Sequence, residues 1–426
     1  MRYKSILFVA VLLAVGLLAG CVVATQQAAA PAATEEMAAA PKEAVATEEM
    51  GETKETAAEG KSAAPEGESI KIGFFSPTTG FAAADGTSAL QSAQLAVKLV
   101  NEDGGVLGRP LEFITYDDAA KPDQAASIAR KLIEQDQVIA GISGSYSGAT
   151  RAAAPIFQEA GIPMISAYAI HPEITKTGDK IFRVGTLATV QGRVGAELIG
   201  KVLNAKKVAI LTVDNDFGVS LTDGFKEYAN ELGLEIVLEE KYPLGETEFR
   251  PIIGKIKAAN PDAVYATGYY NEASNLVNQA QDEGLNVQII GQEGYDSPKF
   301  VELAGPASEG VIITTDLNRD SDREMTQLFL KRYKEDYGED ADMVGASAFD
   351  AVQVLAYAIN TAGSTDANAI TNAIANLKDF EQVATGPFWN YTQDREVVRP
   401  VSSQIVKDGA FHLYHEFDDR ALVTAK

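Results

Sequence analysis

The chain has 426 residues, of which 60 are acidic, 36 are basic and one is a cysteine. Its net charge of −24 argues against nucleic acids and anionic lipid surfaces as partners, because an acidic protein repels phosphate groups. A single cysteine excludes a disulfide bond within the chain. The length exceeds that of one ordinary domain and predicts two lobes, each with its own core.

Residues 1–21 have the features of a bacterial export signal. A basic start is followed by an apolar run over residues 6–19, shorter than the roughly 20 residues that a transmembrane helix needs. Residues 18–21 read LAGC and resemble a lipobox, in which small residues precede the cleaved bond and the new N-terminal cysteine carries a lipid. We therefore predict a lipoprotein signal peptide over residues 1–21, with Cys21 as the lipidation site. The alternatives are a permanent transmembrane helix and a cysteine that falls there by chance.

Residues 22–68 lack Ile, Leu, Phe, Tyr and Trp, and they contain 15 Ala and 10 Glu against 3 Lys. Such a segment cannot build a core, and its like charges repel one another. It is predicted to be a disordered tether between the lipid anchor and the folded part. The protein is therefore expected on the extracytoplasmic face of the cell membrane, in a periplasm or at a cell surface, and it contacts the membrane through the lipid anchor only.

From residue 70 onward, short β-branched runs alternate with amphipathic stretches of helical period. This pattern is typical of βαβ units around a mostly parallel sheet. Strands are predicted at residues 70–75, 111–116, 138–142, 163–166, 207–213, 262–266 and 287–290. Residues 322–376 are predicted to be mainly helical, and short strands at 386–391, 402–407 and 410–417 close the chain. The predicted fold class is therefore α/β, with two doubly wound halves that follow one another in the sequence.

Polar loops follow two of the predicted strands. Residues 143–148 (SGSYSG) come after one strand, and residues 167–172 (AYAIHP) come after the next. In open parallel sheets, ligands bind at the carboxyl ends of the strands, beside helix N-termini that favour anions. A ligand carboxylate held by Ser145 and nearby backbone N–H groups is one interpretation. Ordinary N-capping of a helix by these serines is the other.

Ordered segments across residues 69–417 resemble the leucine/isoleucine/valine-binding family of periplasmic binding proteins. The matching segments are residues 101–110 (NEDGGVLGRP), 116–118, 165–166, 171–175, 182–183, 261–265, 268–270, 291–294 and 309–310. Each is a turn or a strand fragment, so the resemblance depends on their order and spacing. It implies the type I periplasmic binding protein fold, in which two Rossmann-like lobes are joined by a three-crossover hinge.

The resemblance also implies where the lobes begin and end. We place the three crossovers near Leu187, Leu317 and Asn390. The N-terminal lobe then comprises residues 69–187 and 318–390. The C-terminal lobe comprises residues 188–317 and 391–426.

The function implied by the resemblance is that of an extracytoplasmic solute-binding lipoprotein of an ABC transporter. Such a protein captures an amino acid, branched-chain or related, in the cleft between its lobes and delivers it to a permease. A monomer without a cofactor is expected. The alternatives are an amide, urea or a small carboxylic acid as ligand, a sensory receptor module of the same fold, and a secreted hydrolase.

The resemblance places the carboxylate-binding residues of the family on the N-terminal lobe. Ser145 falls where the family binds the ligand carboxylate through a hydroxyl. The backbone of Tyr168, Ala169 and Ile170 lies beside it in the implied site. Where many members have a threonine that bonds both charged groups of the ligand, this chain has Ile170, which can offer only its backbone N–H group.

Four further ligand contacts are carried over by position. Glu293 falls where an acid of the family pairs with the ligand ammonium, while Tyr269 and Phe217 fall where aromatic rings cover the ligand. Asp85 falls where a rim aromatic is common, which puts an aliphatic ligand in question. The alternative for Asp85 is that it caps a helix that begins near Ser88.

The three histidines, His171, His412 and His415, offer little for catalysis or metal binding. Two of them lie in a predicted terminal hairpin, and no cysteine or carboxylate completes a metal-binding motif with them. The sequence also lacks a nucleophile elbow. We therefore predict a binding protein rather than an enzyme, with no metal site.

The lipobox generates a first prediction. Cys21→Ala removes the thiol that carries the lipid, so we expect the variant to remain unlipidated and to move from the membrane fraction to the soluble fraction. Metabolic labelling with a fatty acid, followed by fractionation, measures both effects. Ligand affinity serves as the control and is expected to stay unchanged. Fatty acid still incorporated into the variant would contradict the prediction.

Overall fold

The computed structural model describes residues 65–425. The predicted signal peptide with Cys21, and the predicted tether as far as residue 64, lie outside the described residues. The chain from residue 65 onward forms the two α/β lobes described below.

The first lobe is built on a parallel five-stranded sheet of order β2-β1-β3-β4-β5. Its strands are β1 (Ile70–Ser76), β2 (Leu111–Asp117), β3 (Ala140–Ser143), β4 (Met164–Ser166) and β5 (Ile181–Arg183). Its first helices are α1 (Ala83–Glu102), α2 (Pro122–Glu134) and α3 (Ser147–Glu159). The first four strands lie close to their predicted positions, because apolar runs with turn residues between them indicate the boundaries. Strand β5 was not predicted, because three residues are too few to show a periodic pattern.

The second lobe begins with five parallel strands in the order β10-β9-β8-β6-β7. They are β6 (Lys207–Val213), β7 (Glu235–Tyr242), β8 (Ala263–Ala266), β9 (Gln288–Gly291) and β10 (Ile312–Thr315). The helices are α4 (Ala188–Glu197), which continues as a π-helical turn (Leu198–Val202), α5 (Asp216–Leu232), α6 (Arg250–Ala259), α7 (Tyr270–Asp282) and α8 (Pro298–Ala304).

The chain then returns to the first lobe. It forms three helices and a small antiparallel sheet: α9 (Glu324–Tyr337), α10 (Met343–Ala362), α11 (Ala367–Ala375), β11 (Lys378–Phe380), β12 (Phe388–Tyr391) and β13 (Val397–Val398). Finally, β14 (Val401–Lys407) joins the sheet of the second lobe antiparallel to β10, and β15 (Ala410–Phe417) pairs antiparallel with β14 at the edge. Helix α12 (Arg420–Val423) follows.

Alternation along β1 explains why helices cover both faces of the first sheet. Successive side chains of a strand point to opposite faces. Ile72 and Phe74 accordingly pack into the cluster that contains α1 and α10, whereas Phe75 packs into the cluster that contains α2 and α3. Among the described residues, α10 alone is long and apolar enough to cross a membrane by composition, but most of it is buried, as in a core helix.

Three segments carry the chain between the lobes, and the third does not follow the predicted boundary. Leu187 lies between β5 and α4, and Leu317 is the second residue after the end of β10. Asn390, however, belongs to β12 and pairs with β11 and β13, and the chain enters the second sheet only at Val401. The third crossover therefore lies after β13, beyond the predicted boundary at residue 390. The sequence could not indicate this, because a strand pattern does not show which sheet the strand joins. Strands β11, β12 and β13 form a separate small sheet.

Buried charges lie beside these crossovers. The Arg183 guanidinium forms an ion pair with Glu396 at 2.7 Å, and the two side chains are 0% and 4% exposed. Arg183 also donates to the carbonyl oxygens of Ala169 and His171, at 2.8 Å each. This pair fixes β5 to the end of the small sheet, because each charge requires a partner in a medium without water.

The buried pair generates a stability prediction. Glu396→Gln leaves Arg183 charged and buried without its counter-ion, so we expect the free energy of unfolding to fall by about 3–5 kcal/mol. Urea denaturation measures the change. The matched control is Glu239→Gln, which breaks the exposed Lys226–Glu239 pair and is expected to cost about 1 kcal/mol or less. Equal effects of the two substitutions would contradict the assignment.

Candidate ligand-binding site

A cavity lies between the lobes at the carboxyl ends of their strands, where open parallel sheets bind ligands. Ten residues line it: Asp85, Tyr146, Ser147, Tyr168, Phe217, Tyr269, Glu293, Gly294, Met343 and Val344. The loops after β3, β4, β6, β8 and β9 supply most of them, and α1 and the start of α10 supply the rest. Both lobes therefore contribute to a single site.

Stacked aromatic rings close the cavity across the two lobes. The Tyr146 ring from the first lobe stacks on the Tyr269 ring from the second, with centroids 4.5 Å apart and an interplanar angle of 17°. Tyr269 stacks in turn on Phe217 at 5.0 Å, and Tyr168 meets the edge of Tyr146 at 6.1 Å. The remaining space is about 20 Å³, which is room for one water molecule. A larger ligand therefore fits only when Tyr146 and Tyr269 separate.

Helix α3 presents an uncapped N-terminus to this cavity. Its first residue, Ser147, lines the cavity, and its N-cap Tyr146 makes no side-chain capping hydrogen bond. Three other helices that begin at the cleft have side-chain acceptors: Asn215 on α5, Glu272 on α7 and Asp342 on α10. Helix α1 also lacks a side-chain cap, but its first turn carries the Asp85 carboxyl, which disfavours an anion there. The free N–H groups of α3, together with the Ser147 hydroxyl, can therefore bind an anion.

Glu293 is held at the cavity by close packing of the loops after β8 and β9. A Cβ atom on Gly294 would lie 2.2 Å from the carbonyl oxygen of Gly268, so only glycine allows this approach. The Gln292 amide donates to the same carbonyl oxygen at 2.8 Å. These contacts place Glu293 next to Tyr269.

Glu293 is 2% exposed, and only one of its two carboxyl oxygens accepts a hydrogen bond from the described residues. Its Oε2 atom accepts from the Gln191 amide at 3.3 Å, and its Oε1 atom has no partner among the described residues. Burial and then the charge of Asp316 raise the pKa of Glu293 well above its ordinary value, while Arg183 and Arg399 oppose the rise. A cation in the cavity would favour the ionised form and would bond the free oxygen.

Asp85 is a buried carboxyl in the first turn of α1, not the cap of that helix. The helix begins at Ala83, earlier than predicted, and its N-cap is Ala82. Asp85 is 3% exposed, and its Oδ2 atom accepts from the Tyr146 hydroxyl at 2.7 Å. Burial and then the charge of Asp342 raise the pKa of Asp85 to about 8. The capping interpretation of Asp85 is therefore wrong.

The structure brings five of the eight predicted contact residues to one cavity: Asp85, Tyr168, Phe217, Tyr269 and Glu293. Ser145, Ala169 and Ile170 are not among its lining residues. The Ser145 hydroxyl lies beside the buried Asp118 carboxyl. Burial raises the pKa of Asp118 to about 6, and the Ser145 hydroxyl opposes this rise. The Ala169 carbonyl oxygen accepts from Arg183, and the Ile170 carbonyl oxygen accepts from the Ala188 N–H group. These two carbonyl groups therefore form contacts of the first crossover and not of the cavity.

Sequence reasoning missed five lining residues: Tyr146, Ser147, Gly294, Met343 and Val344. Tyr146 and Ser147 lie in the polar loop that was singled out, and the point at which α3 begins decides which serine faces the cleft. No sequence signal indicated Met343 and Val344, because the returning segment brings them to the site from far along the chain.

The raised pKa of Asp85 generates a prediction about pH. Its ordinary value is 3.8 and its folded value is about 8, so between these values the folded protein binds a proton that the unfolded chain has lost. Asp85 therefore opposes folding increasingly as the pH rises from about 4 to about 8. For the ligand-free Asp85→Asn variant we expect a Tm equal to that of the wild type at pH 4 and higher by about 2 °C or more at pH 8.5. A Tm difference that does not change with pH would contradict this account.

Comparison with known proteins agrees with the fold and the cleft. The sequence profile of the periplasmic binding protein family matches residues 69–410. The chain is 31% identical over 308 residues to the leucine-, isoleucine-, valine-, threonine- and alanine-binding protein of Pseudomonas aeruginosa, which covers 72% of this chain and 82% of that protein.

Two solved structures are similar over nearly their whole length. The branched-chain amino acid transporter substrate-binding protein of Streptococcus pneumoniae, in complex with isoleucine, has a TM-score of 0.75 and 30% identity and covers 82% of this chain and 99% of its own. A solute-binding protein of an ABC transporter from Rhodopseudomonas palustris, in complex with 3,4-dihydroxybenzoic acid, has a TM-score of 0.76 and 26% identity, covering 82% and 97%. The predicted type I fold is confirmed, and the chain belongs to the periplasmic binding protein family, in its leucine/isoleucine/valine-binding branch.

Proposed function

We propose that the chain is the extracytoplasmic solute-binding lipoprotein of an ABC transporter, which captures an amino acid between its lobes and delivers it to a permease. The proposal assigns a binding role rather than a catalytic one. The observation that carries it is that an uncapped helix N-terminus and an unsatisfied carboxylate face one cavity from opposite lobes.

These two groups match the two charges of an α-amino acid. The N–H groups at the start of α3 and the Ser147 hydroxyl bind the carboxylate, and Glu293 binds the ammonium group. Charge-assisted hydrogen bonds of this kind are stronger than neutral ones. Both are formed only when the lobes are closed on the ligand, because Ser147 and Glu293 belong to different lobes.

Strong contacts between the lobes lie at the crossovers, where Arg319 pairs with the buried Asp296 and donates to the Ala341 carbonyl oxygen. Across the cleft itself, the contacts among the described residues are weak. Outside the aromatic stack, the Arg151–Asp216 ion pair is 40% and 43% exposed, and the Asn271 amide donates to the Phe81 carbonyl oxygen at 3.3 Å. Exposed ion pairs contribute about 1 kcal/mol or less. Moving the equilibrium from mostly open to mostly closed takes about 5 kcal/mol of differential affinity, which the two charged groups of the ligand supply.

An aromatic carboxylic acid is the second candidate ligand. Four aromatic rings line the cavity, and a relative of this chain was solved in complex with 3,4-dihydroxybenzoic acid. Such a ligand uses the α3 N-terminus and the rings but has no cation for Glu293. The unsatisfied Oε1 atom of Glu293 therefore favours the amino acid.

The amino-acid assignment predicts the effect of one substitution. Glu293→Gln keeps the shape of the side chain and removes its charge, so we expect the affinity for the native ligand to fall by about 2–5 kcal/mol. The native ligand is identified by mass spectrometry of the molecule that co-purifies with the protein, and calorimetric titration measures its affinity. Glu324→Gln, at an exposed position in the first turn of α9, is the control. Unchanged affinity in Glu293→Gln, with an aromatic acid as the co-purifying molecule, would support the second candidate instead.

A further inference from the structure

The cavity has a second free carboxyl oxygen, and it lies on the other lobe from Glu293. Asp85 is more than nine-tenths buried and lines the cavity from α1. Its Oδ2 atom accepts from Tyr146, and its Oδ1 atom has no partner among the described residues. The ten lining residues include no Lys, Arg or His. The cavity therefore has two carboxyl groups and no cation of its own.

The surroundings of the two carboxyl groups differ. Arg183 and Arg399 act on Glu293 from the hinge and partly compensate its charge. The principal charged neighbours of Asp85 are all acidic: Asp342, Asp296 and Glu272. Because a buried carboxyl without a positive neighbour keeps its proton, Asp85 depends on a cation from outside the protein for its ionised form more than Glu293 does.

The aromatic lining is suited to such a cation. The faces of aromatic rings carry negative potential and attract ammonium and guanidinium groups within about 6 Å. Tyr146 is hydrogen-bonded to Asp85 and stacked on Tyr269, so a cation that pairs with Asp85 lies beside these rings. An aliphatic side chain in the same place would remove water from the Asp85 carboxyl without replacing its hydrogen bonds.

We propose that the preferred ligand is a diamino acid, whose α-ammonium group pairs with Glu293 and whose side-chain ammonium group pairs with Asp85. The proposal rests on the proposed function, since it takes the α-carboxylate to lie at the N-terminus of α3. It makes Asp85 the residue that selects the ligand side chain. A hydroxyl group in that place would form one hydrogen bond with Asp85 but would supply no positive charge to favour its ionised form.

Matched ligands test the proposal on the full-length protein. Lysine is compared with norleucine, and ornithine with norvaline, because each pair differs chiefly by the terminal amine. We expect calorimetry to show binding of the diamino acid that is at least about 10-fold tighter, the equivalent of one charge-assisted hydrogen bond. Nε-acetyl-lysine, which keeps the side-chain length but loses the charge, is expected to bind no better than norleucine.

The same titrations on two variants identify the residue. In Asp85→Asn we expect the affinity ratio of lysine to norleucine to fall to within about 3-fold of unity, because the charge that distinguishes them is gone. Asp123→Asn, an exposed first-turn aspartate of α2, is the matched control and is expected to keep the wild-type ratio.

Each remaining outcome has a separate meaning. If norleucine, leucine or valine binds the wild type as tightly as lysine and ornithine do, the diamino-acid proposal is overturned while amino-acid capture stands. If none of these amino acids binds and an aromatic acid does, the proposed function fails and the proposal fails with it. The comparison with Nε-acetyl-lysine uses only the wild type, so it remains decisive if Asp85→Asn does not fold.

Discussion

The pairing of buried charges at the crossovers is the constraint on which the two-lobe arrangement depends. Arg183 at the end of β5 meets Glu396 beside the last crossover. At the second crossover, the Asp316 carboxylate accepts from the N–H and hydroxyl groups of Thr186, at 2.8 and 2.6 Å, and Arg399 donates to its carbonyl oxygen. Because unpaired charges are costly away from water, these segments are held where each buried charge has an oppositely charged or hydrogen-bonding partner. The crossovers therefore hold a defined geometry. The lobes move apart by breaking the weaker contacts of the cleft.

The cleft differs from the crossovers, because its lining contains carboxyl groups and no cation. Burial of Asp85 and Glu293 in this lining destabilises the closed form when no ligand is bound. A ligand that carries the missing positive charge removes the cost only when both lobes surround it. Closure and selectivity then have the same physical origin, since the difference in affinity between the open and closed states comes from the groups that recognise the ligand.

Gln191 connects these two regions. Its amide group donates at 3.3 Å to the Glu293 carboxylate and, at the same distance, to Asp316 at the crossover. A change in the ionisation of Glu293 therefore alters a hydrogen bond that the hinge shares. The aromatic stack of Tyr146 on Tyr269 adds a second link between lobes, because it must separate before a ligand larger than water can enter.

The sequence by itself determined the α/β class, the order of the elements and the positions of most strands, because apolar periodicity and turn residues are local properties of the chain. Together with the family resemblance, it also indicated Glu293, Tyr269 and Phe217, which follow strands at the edge where ligands bind. Only the tertiary structure decided that Ser147 rather than Ser145 lines the cavity, that the third crossover follows β13, and that Asp85 is buried beside Tyr146 instead of capping a helix. These three facts depend on the residue at which a helix begins or on the packing of segments that are distant in the sequence. Local periodicity contains no information about either property.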